Sequence, residues 1–342
     1  MLHLWYEAKY RKEKEIKMKK RLLKVTAAVY AMLLGLTACG KSNDSADKVY
    51  KIGICQIVQH DALDAATQGF KDALIKKLGE DHVKFDYQDA SGDSATCATI
   101  ANGFASANVD LILANATAPL QAAAAATTEI PILGTSITDY AVALELKDWS
   151  GATGINVSGT SDLAPLEEQA AMIQELFPAD KFAKVGILYC TAEPNSLYQV
   201  EVVTKELEKL GYTVTPYAFT DTNDVSSVCT TAANASDVMY IPTDNTAASN
   251  TGIIDQICRP AKVPIVTGEE GICAGCGVAT LSISYYELGY TTGEMAYEVL
   301  VNHADVSKME VKYAPNTTKK YNKEICDELG IKIPDDYVAI EK

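Results

Sequence analysis

Histidine and the short motifs of common enzymes are scarce in this sequence. Only three histidines, His60, His82 and His303, follow residue 39. The chain has neither a Gly-x-Ser-x-Gly nucleophile motif nor a Gly-x-x-x-x-Gly-Lys phosphate loop. A hydrolase needs a nucleophile beside a general base, and only His60 follows a predicted strand. We therefore expect that the chain is not an enzyme and not an ATPase subunit.

The apolar run near the N-terminus, residues 25–36, is too short for a transmembrane helix, which needs about 20 apolar residues. It follows a basic segment, 17–24, and leads into Leu36-Thr37-Ala38-Cys39. This order is typical of a secretory signal, with Met18 as the expected start. The Leu-Thr-Ala-Cys ending resembles a bacterial lipobox, which predicts export and lipidation of Cys39. A buried helix that happens to end in a cysteine is the alternative.

Basic residues are also scarce once the predicted signal is set aside. Residues 1–39 hold nine Lys or Arg and three Asp or Glu, which leaves 21 basic and 42 acidic side chains in the rest. Such a balance repels nucleic acid and anionic lipid headgroups. We therefore expect no nucleic-acid partner, and a membrane attachment that depends on acyl chains rather than on a basic patch.

Eight cysteines follow Cys39, and an exported chain with eight cysteines invites a disulfide interpretation. Cys55 and Cys190, however, lie inside apolar runs, where a free cysteine behaves as a small hydrophobe. We expect mostly free thiols. Cys273 and Cys276 have the spacing of a redox or metal half-site, but no second pair stands at metal-ligand spacing. A local disulfide or two unreactive thiols are the favoured alternatives, and no metal site is predicted.

Short apolar strands alternate with amphipathic helices from residue 49 onward. This alternation predicts an α/β fold with parallel strands and crossover helices on both faces of the sheet. The first seven predicted elements are a strand at 50–58, a helix at 63–78, a strand at 83–87, a helix at 94–107, a strand at 109–114, a helix at 120–127 and a strand at 131–134.

The same pattern then recurs in the second half. Residues 51–54 match 184–187, and residues 130–133 match 263–266, both at an offset of 133. Chance similarity between any two βα segments is the alternative, but five matches in the same order favour two homologous lobes. The three further matches, at offsets of 127 to 131, are 83–87 with 214–218, Asp93 with Asp224 at a helix start, and 109–112 with 236–239.

The C-terminal tail has no counterpart in this duplication. Its predicted strand at 278–284, helix at 287–301 and strand at 309–313 indicate that the chain crosses back between lobes. Several crossings would make a hinge that bends without swivelling. The predicted boundaries are a signal at 1–39, a linker at 40–48, a first lobe at 49–157 plus about 285–308, and a second lobe at 158–284 plus about 309–342.

Polar residues follow the predicted strands in both halves. Ligands of open parallel sheets bind beyond the carboxyl ends of the strands, so these residues are the candidates for a site. Hydroxyls, amides and helix N-termini there suit a carboxylate. Ordinary helix capping explains each residue singly, but together, across two lobes, they favour a site for a zwitterion. The carboxylates that can balance an ammonium are Asp139, Glu193, Asp244 and Glu269.

Three segments carry a resemblance to a known family: 193–196, 242–245 and 285–289. Over nearly all of 48–334 the chain resembles the ABC-importer substrate-binding lipoproteins of the type associated with tryptophan and tyrosine uptake. That family is similar in fold to type I periplasmic binding proteins, which have two Rossmann-like lobes with parallel sheets and a multi-strand hinge. The resemblance implies a diacylated anchor, an aromatic amino acid as ligand, ABC permease and ATPase subunits as partners, and no cofactor.

The resemblance also implies which residues bind the ligand, and some positions depart from the family pattern. Tyr140 stands where the family commonly has proline, as a stacking platform for a ligand ring or merely a turn residue. A nucleoside, sugar or signalling ligand is the alternative, although Trp149 is the one tryptophan after residue 39 and sugar sites of this fold usually stack on Trp or Phe. The implied binding residues are Thr117, Gln121, Thr138, Asp139, Glu193, Asn195, Ser196, Thr243, Asp244 and Asn245, with Gln59, His60, Tyr140 and Glu269 as weaker candidates.

Overall fold

The computed structural model describes residues 48–341. The predicted signal segment with Met18 and the lipobox with Cys39 lie outside the described residues, as does the predicted linker apart from Lys48. Within the described part of the chain, no helix has the length and apolar character that crossing a membrane requires.

Six parallel strands form the first sheet, in the order β11-β5-β4-β3-β1-β2. The central strands are apolar and buried on both faces, as parallel strands covered by helices on both sides must be. The strands are β1 (Tyr50–Gln56), β2 (Val83–Asp89), β3 (Leu111–Asn115), β4 (Ile132–Ile137), β5 (Val157–Ser161) and β11 (Lys312–Tyr313).

The second sheet has seven strands in the order β13-β12-β10-β9-β8-β6-β7. Strands β6 to β10 run parallel to one another, whereas β12 runs antiparallel to β10 and β13 runs parallel to β12. The strands are β6 (Lys184–Cys190), β7 (Thr213–Phe219), β8 (Val238–Ile241), β9 (Ile265–Thr267), β10 (Ala279–Ser282), β12 (Thr318–Tyr321) and β13 (Val338–Ala339).

Helices connect successive strands in both lobes, and two single 3₁₀ turns, Glu80–His82 and Val306–Lys308, follow α1 and α11. The helices of the first lobe are α1 (Asp61–Leu78), α2 (Ser94–Ser106), α3 (Thr117–Ala126), α4 (Tyr140–Ala143) and α11 (Tyr285–Leu300). The helices of the second lobe are α5 (Leu166–Leu176), α6 (Pro194–Lys209), α7 (Thr222–Ala235), α8 (Asn245–Ala248), α9 (Thr251–Ala261), α10 (Glu270–Cys276) and α12 (Lys323–Leu329).

The predicted duplication is confirmed by the order of the strands. The run β4-β3-β1-β2 in the first sheet repeats as β9-β8-β6-β7 in the second. One hydrogen bond recurs with it: the Lys51 backbone N–H donates to Asp110 Oδ2 at 2.8 Å, and that of Lys184 to Asp237 Oδ2 at 2.9 Å. One predicted match is wrong in detail, because the residue that caps α7 is Asp221 and not Asp224.

The chain crosses between the lobes three times: after β5, between β10 and α11, and between β11 and β12. The first crossing comes later than predicted, since residues 158–161 continue β5 and pair with β4. Residues 309–313 were predicted for the second lobe, but β11 pairs with β5 in the first. Both corrections have one cause. The small polar residues after Val157 lack the apolar pattern of a strand, yet they continue β5, and β11 pairs with this continuation.

Helices α1 and α11 pack with their backbones in contact, which assigns α11 to the first lobe. A Cβ atom on Gly289 would lie 1.8 Å from the Ala66 carbonyl oxygen, and one on Gly69 would lie 2.1 Å from that of Tyr286. No side chain other than hydrogen fits at either position. The close approach holds α11 on the first lobe immediately after the second crossing.

Gly289→Ala should therefore destabilise the protein, by about 1–3 kcal/mol or more, because the added methyl overlaps the Ala66 carbonyl. Gly103→Ala in α2 is the matched control, since a Cβ there meets no atom within 4 Å and alanine favours a helix by about 0.5–1 kcal/mol. Urea denaturation of the two variants measures both effects. An unchanged midpoint for Gly289→Ala would contradict the described helix contact.

Candidate functional site

The carboxyl ends of strands from both sheets face each other across a cavity between the lobes, here called the interlobe cavity. Its volume is about 10 Å³, which is the space of roughly one water molecule. The first lobe and the crossings contribute His60, Leu63, Ser136, Thr138, Asp162 and Tyr285, and the second lobe contributes Asn195, Thr243, Asp244, Asn245, Ala248 and Glu269.

Glu193, at the start of α6, holds the beginning of α8 in place. Its Oε2 accepts from the Asn245 backbone N–H at 3.0 Å and from Asn245 Nδ2 at 2.7 Å. Its Oε1 accepts from the Thr246 backbone N–H and from Thr246 Oγ1, both at 2.8 Å. Both carboxylate oxygens are thus engaged within the second lobe, and Glu193 is not among the residues lining the interlobe cavity.

Asp244 is likewise engaged on both oxygens. Oδ1 caps α8 by accepting from the Ala247 backbone N–H at 2.8 Å. Oδ2 accepts from Ser196 Oγ at 2.8 Å and from the Cys190 backbone N–H at 2.7 Å. The side chain is 1% exposed, and this burial raises the pKa of Asp244 to about 8. Asp244 and Ser196 therefore tie β6, α6 and α8 together.

Glu269 caps α10 from within the cavity wall. Its Oε2 accepts from the Gly271 backbone N–H at 2.6 Å, and its Oε1 accepts from that of Ile272. Glu269 is 2% exposed, and burial raises its pKa to about 7. As in Glu193 and Asp244, both carboxyl oxygens of Glu269 therefore accept hydrogen bonds from the second lobe.

Asp162, which the sequence analysis missed, differs from these three carboxylates. It follows β5 directly, and its Oδ2 accepts from the Tyr285 hydroxyl at 2.8 Å. Its Oδ1 is buried and has no hydrogen-bond partner among the described residues. Burial raises the pKa of Asp162, while the nearby hydroxyls of Tyr285 and Thr138 oppose that rise. The signal that could have found Asp162 is its position at a strand end, but the small polar residues of β5 do not show the apolar pattern of a strand.

Ser136 is a second cavity residue that the sequence analysis missed. Its backbone lies in the left-handed region, with φ at 58°, which is uncommon for a residue other than glycine. The register between β4 and β5 shifts at this place, between Gly134 and Ile137. The Ser136 hydroxyl oxygen is buried and unpartnered within the described residues. Strained backbone of this kind concentrates at binding sites.

A hydrogen bond joins the two lobes across the cavity, where His60 Nε2 lies 3.2 Å from Asn245 Oδ1. Because Asn245 Nδ2 donates to Glu193, Asn245 must present its oxygen to His60, and His60 Nε2 must carry the proton. Burial lowers the pKa of His60, so the ring is neutral and Nδ1 is an acceptor. Nδ1 is also buried, with no partner in the described part of the chain.

Seven of the fourteen predicted binding residues line the interlobe cavity, and their contact with a ligand stays a prediction. They are His60, Thr138, Asn195, Thr243, Asp244, Asn245 and Glu269.

Three other predicted residues serve the first lobe itself. Tyr140 lies in the core, 2% exposed, where its hydroxyl donates to the Thr160 carbonyl at 3.2 Å and its ring stacks on Trp149. Gln121 Nε2 donates to the Ala143 carbonyl at 3.0 Å, and Asp139 caps α4. Tyr140 is therefore not a stacking platform for a ligand in this arrangement, because the register of α4 turns its ring inward.

Thr117 and Gln59 also stand apart from the interlobe cavity. Thr117 is the first residue of α3 and is buried. Gln59 is exposed and lines a wider cavity of about 290 Å³ that reaches the interlobe cavity at His60. A third cavity, of about 560 Å³, shares the lining residues Glu269 and Tyr285 with the interlobe cavity. The space between the lobes is thus narrow in the middle and wider on two sides.

All eight described cysteines are buried free thiols. Cys273 and Cys276 are not bonded to each other, whereas Cys229 Sγ lies 3.6 Å from Cys258 Sγ. Within residues 48–341, no cluster of three or more His, Cys, Asp or Glu side chains has the arrangement to hold a metal ion.

The buried carboxylates predict how stability depends on pH. Their raised pKa values mean that the folded protein retains protons that the unfolded chain has already released, so stability is present at low pH and is lost as the pH rises. Unfolding free energy should therefore fall between about pH 5 and pH 8. A pKa that rises from 4.5 to about 7 corresponds to about 3 kcal/mol.

Glu269→Gln should reduce that fall, because the amide does not ionise while its oxygen still accepts from α10. Urea denaturation at each pH measures the slope. Glu208→Gln on the exposed side of α6 is the matched control and should leave the slope unchanged. A slope that stays as steep in Glu269→Gln as in the unmodified protein would show that Glu269 is ionised throughout.

Known proteins are similar to this chain in architecture and in sequence. The chain is 36% identical over 297 residues to a "Tyrosine-binding protein" of Clostridioides difficile (strain R20291), which covers 83% of this chain and 85% of that protein. An ABC domain solved in complex with L-Trp from Streptococcus pneumonia is 33% identical, with a TM-score of 0.80 over 84% of this chain and 97% of that one.

A third relative is similar to this chain with a lower TM-score. It is the ligand-free, open structure of a substrate binding protein with adhesive properties from Clostridium difficile, 36% identical, with a TM-score of 0.64 over 86% of this chain and all of that one. The family model described as "ABC transporter substrate binding protein" matches residues 51–341. With its two lobes and the cavity between them, the chain belongs to the ABC transporter substrate-binding protein family.

Proposed function

We propose that this protein captures an aromatic amino acid in the interlobe cavity by closing its two lobes around it, and delivers it to an ABC permease. The observation that carries the proposal is the convergence of three buried, unpartnered polar atoms on one cavity: His60 Nδ1, Ser136 Oγ and Asp162 Oδ1. Buried polar atoms are nearly always hydrogen-bonded in folded proteins. Three exceptions around one cavity between two lobes indicate a place for a polar ligand.

The relatives support an aromatic amino acid as that ligand. One is named for tyrosine and another was solved with L-Trp, and both match most of this chain. The described cavity residues offer both kinds of partner that a zwitterion needs: hydroxyls and amides such as Thr138, Thr243 and Asn195 for the carboxylate, and carboxylate oxygen for the ammonium.

Movement of the lobes is part of the proposal. The interlobe cavity of about 10 Å³ cannot admit an amino acid unless the lobes separate. The TM-score is higher for the L-Trp complex than for the ligand-free open structure, although the open protein is the more identical in sequence. Overall identity therefore does not account for the difference in TM-score, and this supports lobes that lie closer together here than in the open structure. The three crossings between the lobes would act as the hinge.

The remaining parts of the function rest on the sequence and the family. Export with lipidation at Cys39 would hold the protein at the outer face of the membrane, where its acidic body needs no basic patch. A permease and an ATPase subunit would complete the importer. The binding protein itself would carry out no catalytic step.

Thermal unfolding with a ligand panel tests the proposed ligand. L-tryptophan or L-tyrosine should raise the melting temperature, because a ligand at 100 times its dissociation constant adds about 2.7 kcal/mol to stability. Nucleosides and sugars should leave it unchanged. A shift with a nucleoside or sugar, and none with any amino acid, would contradict the proposal.

Cys39→Ala tests the anchor. Without the thiol there is no site for the acyl chains, so the variant protein should appear in the culture medium instead of the membrane fraction. Ser42→Ala, three residues further on, is the control and should remain with the membrane. Membrane retention of Cys39→Ala would mean that another part of the chain provides the attachment.

A further inference from the structure

The four carboxylates of the cleft are not equivalent, and this difference identifies a contact with the ligand. Glu193, Asp244 and Glu269 each give both oxygens to backbone N–H groups or side-chain donors of the second lobe. Their hydrogen bonds hold helix starts, so they would remain engaged whether or not a ligand is present. None of the three has an oxygen without a partner.

Asp162 has such an oxygen. The residue is 4% exposed, and Tyr285 fixes Oδ2 by a hydrogen bond of 2.8 Å, which leaves Oδ1 as the buried acceptor at the interlobe cavity. A buried carboxylate oxygen without a donor is costly. A ligand that brings a charged donor removes that cost.

The surroundings specify the kind of donor. None of the twelve described residues that line the cavity is lysine or arginine, so the positive charge must come with the ligand. His60 Nδ1, a neutral acceptor by the argument from Asn245, is the second unpartnered acceptor at the cavity. Two acceptors, one of them a carboxylate oxygen, match a group with several N–H donors and a positive charge.

We propose that Asp162 Oδ1 is the acceptor for the ligand's ammonium group, with His60 Nδ1 as a second acceptor and Tyr285 as the residue that positions Asp162. The inference rests on the proposed function and deepens it, because it makes a primary ammonium the group that the site requires. A carboxylate ligand without an amine would face Asp162 with like charge and would be rejected. Neither Asp162 nor Tyr285 was found from the sequence.

Isothermal titration calorimetry with three indole compounds tests the inference on the unmodified protein. L-tryptophan carries both charged groups, tryptamine carries only the ammonium, and indole-3-propionate carries only the carboxylate. L-tryptophan should bind most tightly, tryptamine should bind measurably, and indole-3-propionate should not bind. Binding of indole-3-propionate as tight as that of tryptamine would overturn the proposal, and this arm needs no variant to fold.

Asp162→Asn is the direct test, because it removes the charge and keeps an oxygen for Tyr285. Its affinity for L-tryptophan should fall about 30-fold or more, as expected when a buried charged pair is broken. Asp93→Asn, the same change at the exposed cap of α2, is the control and should bind as the unmodified protein does. Circular dichroism establishes that both variants fold. Unchanged L-tryptophan affinity in a folded Asp162→Asn variant would overturn the proposal.

The same titrations separate this inference from the proposed ligand. In one outcome, the protein binds none of the three indole compounds but binds another amino acid, with an affinity that falls in Asp162→Asn. That result would contradict the aromatic ligand and support the ammonium contact. A protein that binds L-tryptophan equally with and without the Asp162 charge would support the aromatic ligand and contradict the contact. Binding of only an uncharged ligand, unaffected by Asp162→Asn, would contradict both.

Discussion

A carboxylate that leaves water must receive hydrogen bonds, and this requirement organises the cleft between the two lobes. Glu193, Asp244 and Glu269 meet it with the free N–H groups at the starts of α8 and α10. Each of these bonds also fixes a short helix against the end of a strand. Hydrogen bonds therefore hold the second-lobe wall together, and none of these three carboxyl groups has an oxygen without a donor. Asp162 meets the requirement on only one oxygen. This difference distinguishes the three carboxylates that support the second lobe from Asp162, the candidate contact with the ligand.

The duplicated lobes explain how such a cleft can open. Each lobe has its own sheet, its own buried core and the same strand order β4-β3-β1-β2 or β9-β8-β6-β7, so neither depends on the other for its core. The crossings lie together at one side of the cleft. His60 and Asn245 form a hydrogen bond between the facing cavity walls. Under the proposed closure, this hydrogen bond would break and the three crossings would bend when the lobes separate.

The candidate site could be predicted only in part, and particular residues show why. Thr243, Asp244 and Asn245 follow an apolar strand, so their place at the cleft could be predicted from the sequence. Which oxygen of Asp244 would be engaged could not, because its donors, Ser196 and the Cys190 N–H, are about 50 residues away in the chain. Tyr140 was misjudged for a similar reason: its hydroxyl bonds to β5, whose extent the apolar pattern did not show.

Local pattern alone was enough to determine the two α/β lobes, their duplication and the polar strand ends, because alternating apolar periodicity and strand-end chemistry are properties of short segments. Only the tertiary structure decided that residues 158–161 complete the first sheet, that Asp162 lies at the cavity with one free oxygen, and that Glu193 faces its own lobe. Each of those outcomes depends on partners far away in sequence. Which donor pairs with which carboxylate oxygen depends on segments that are distant in sequence, and these segments meet only once the chain has folded.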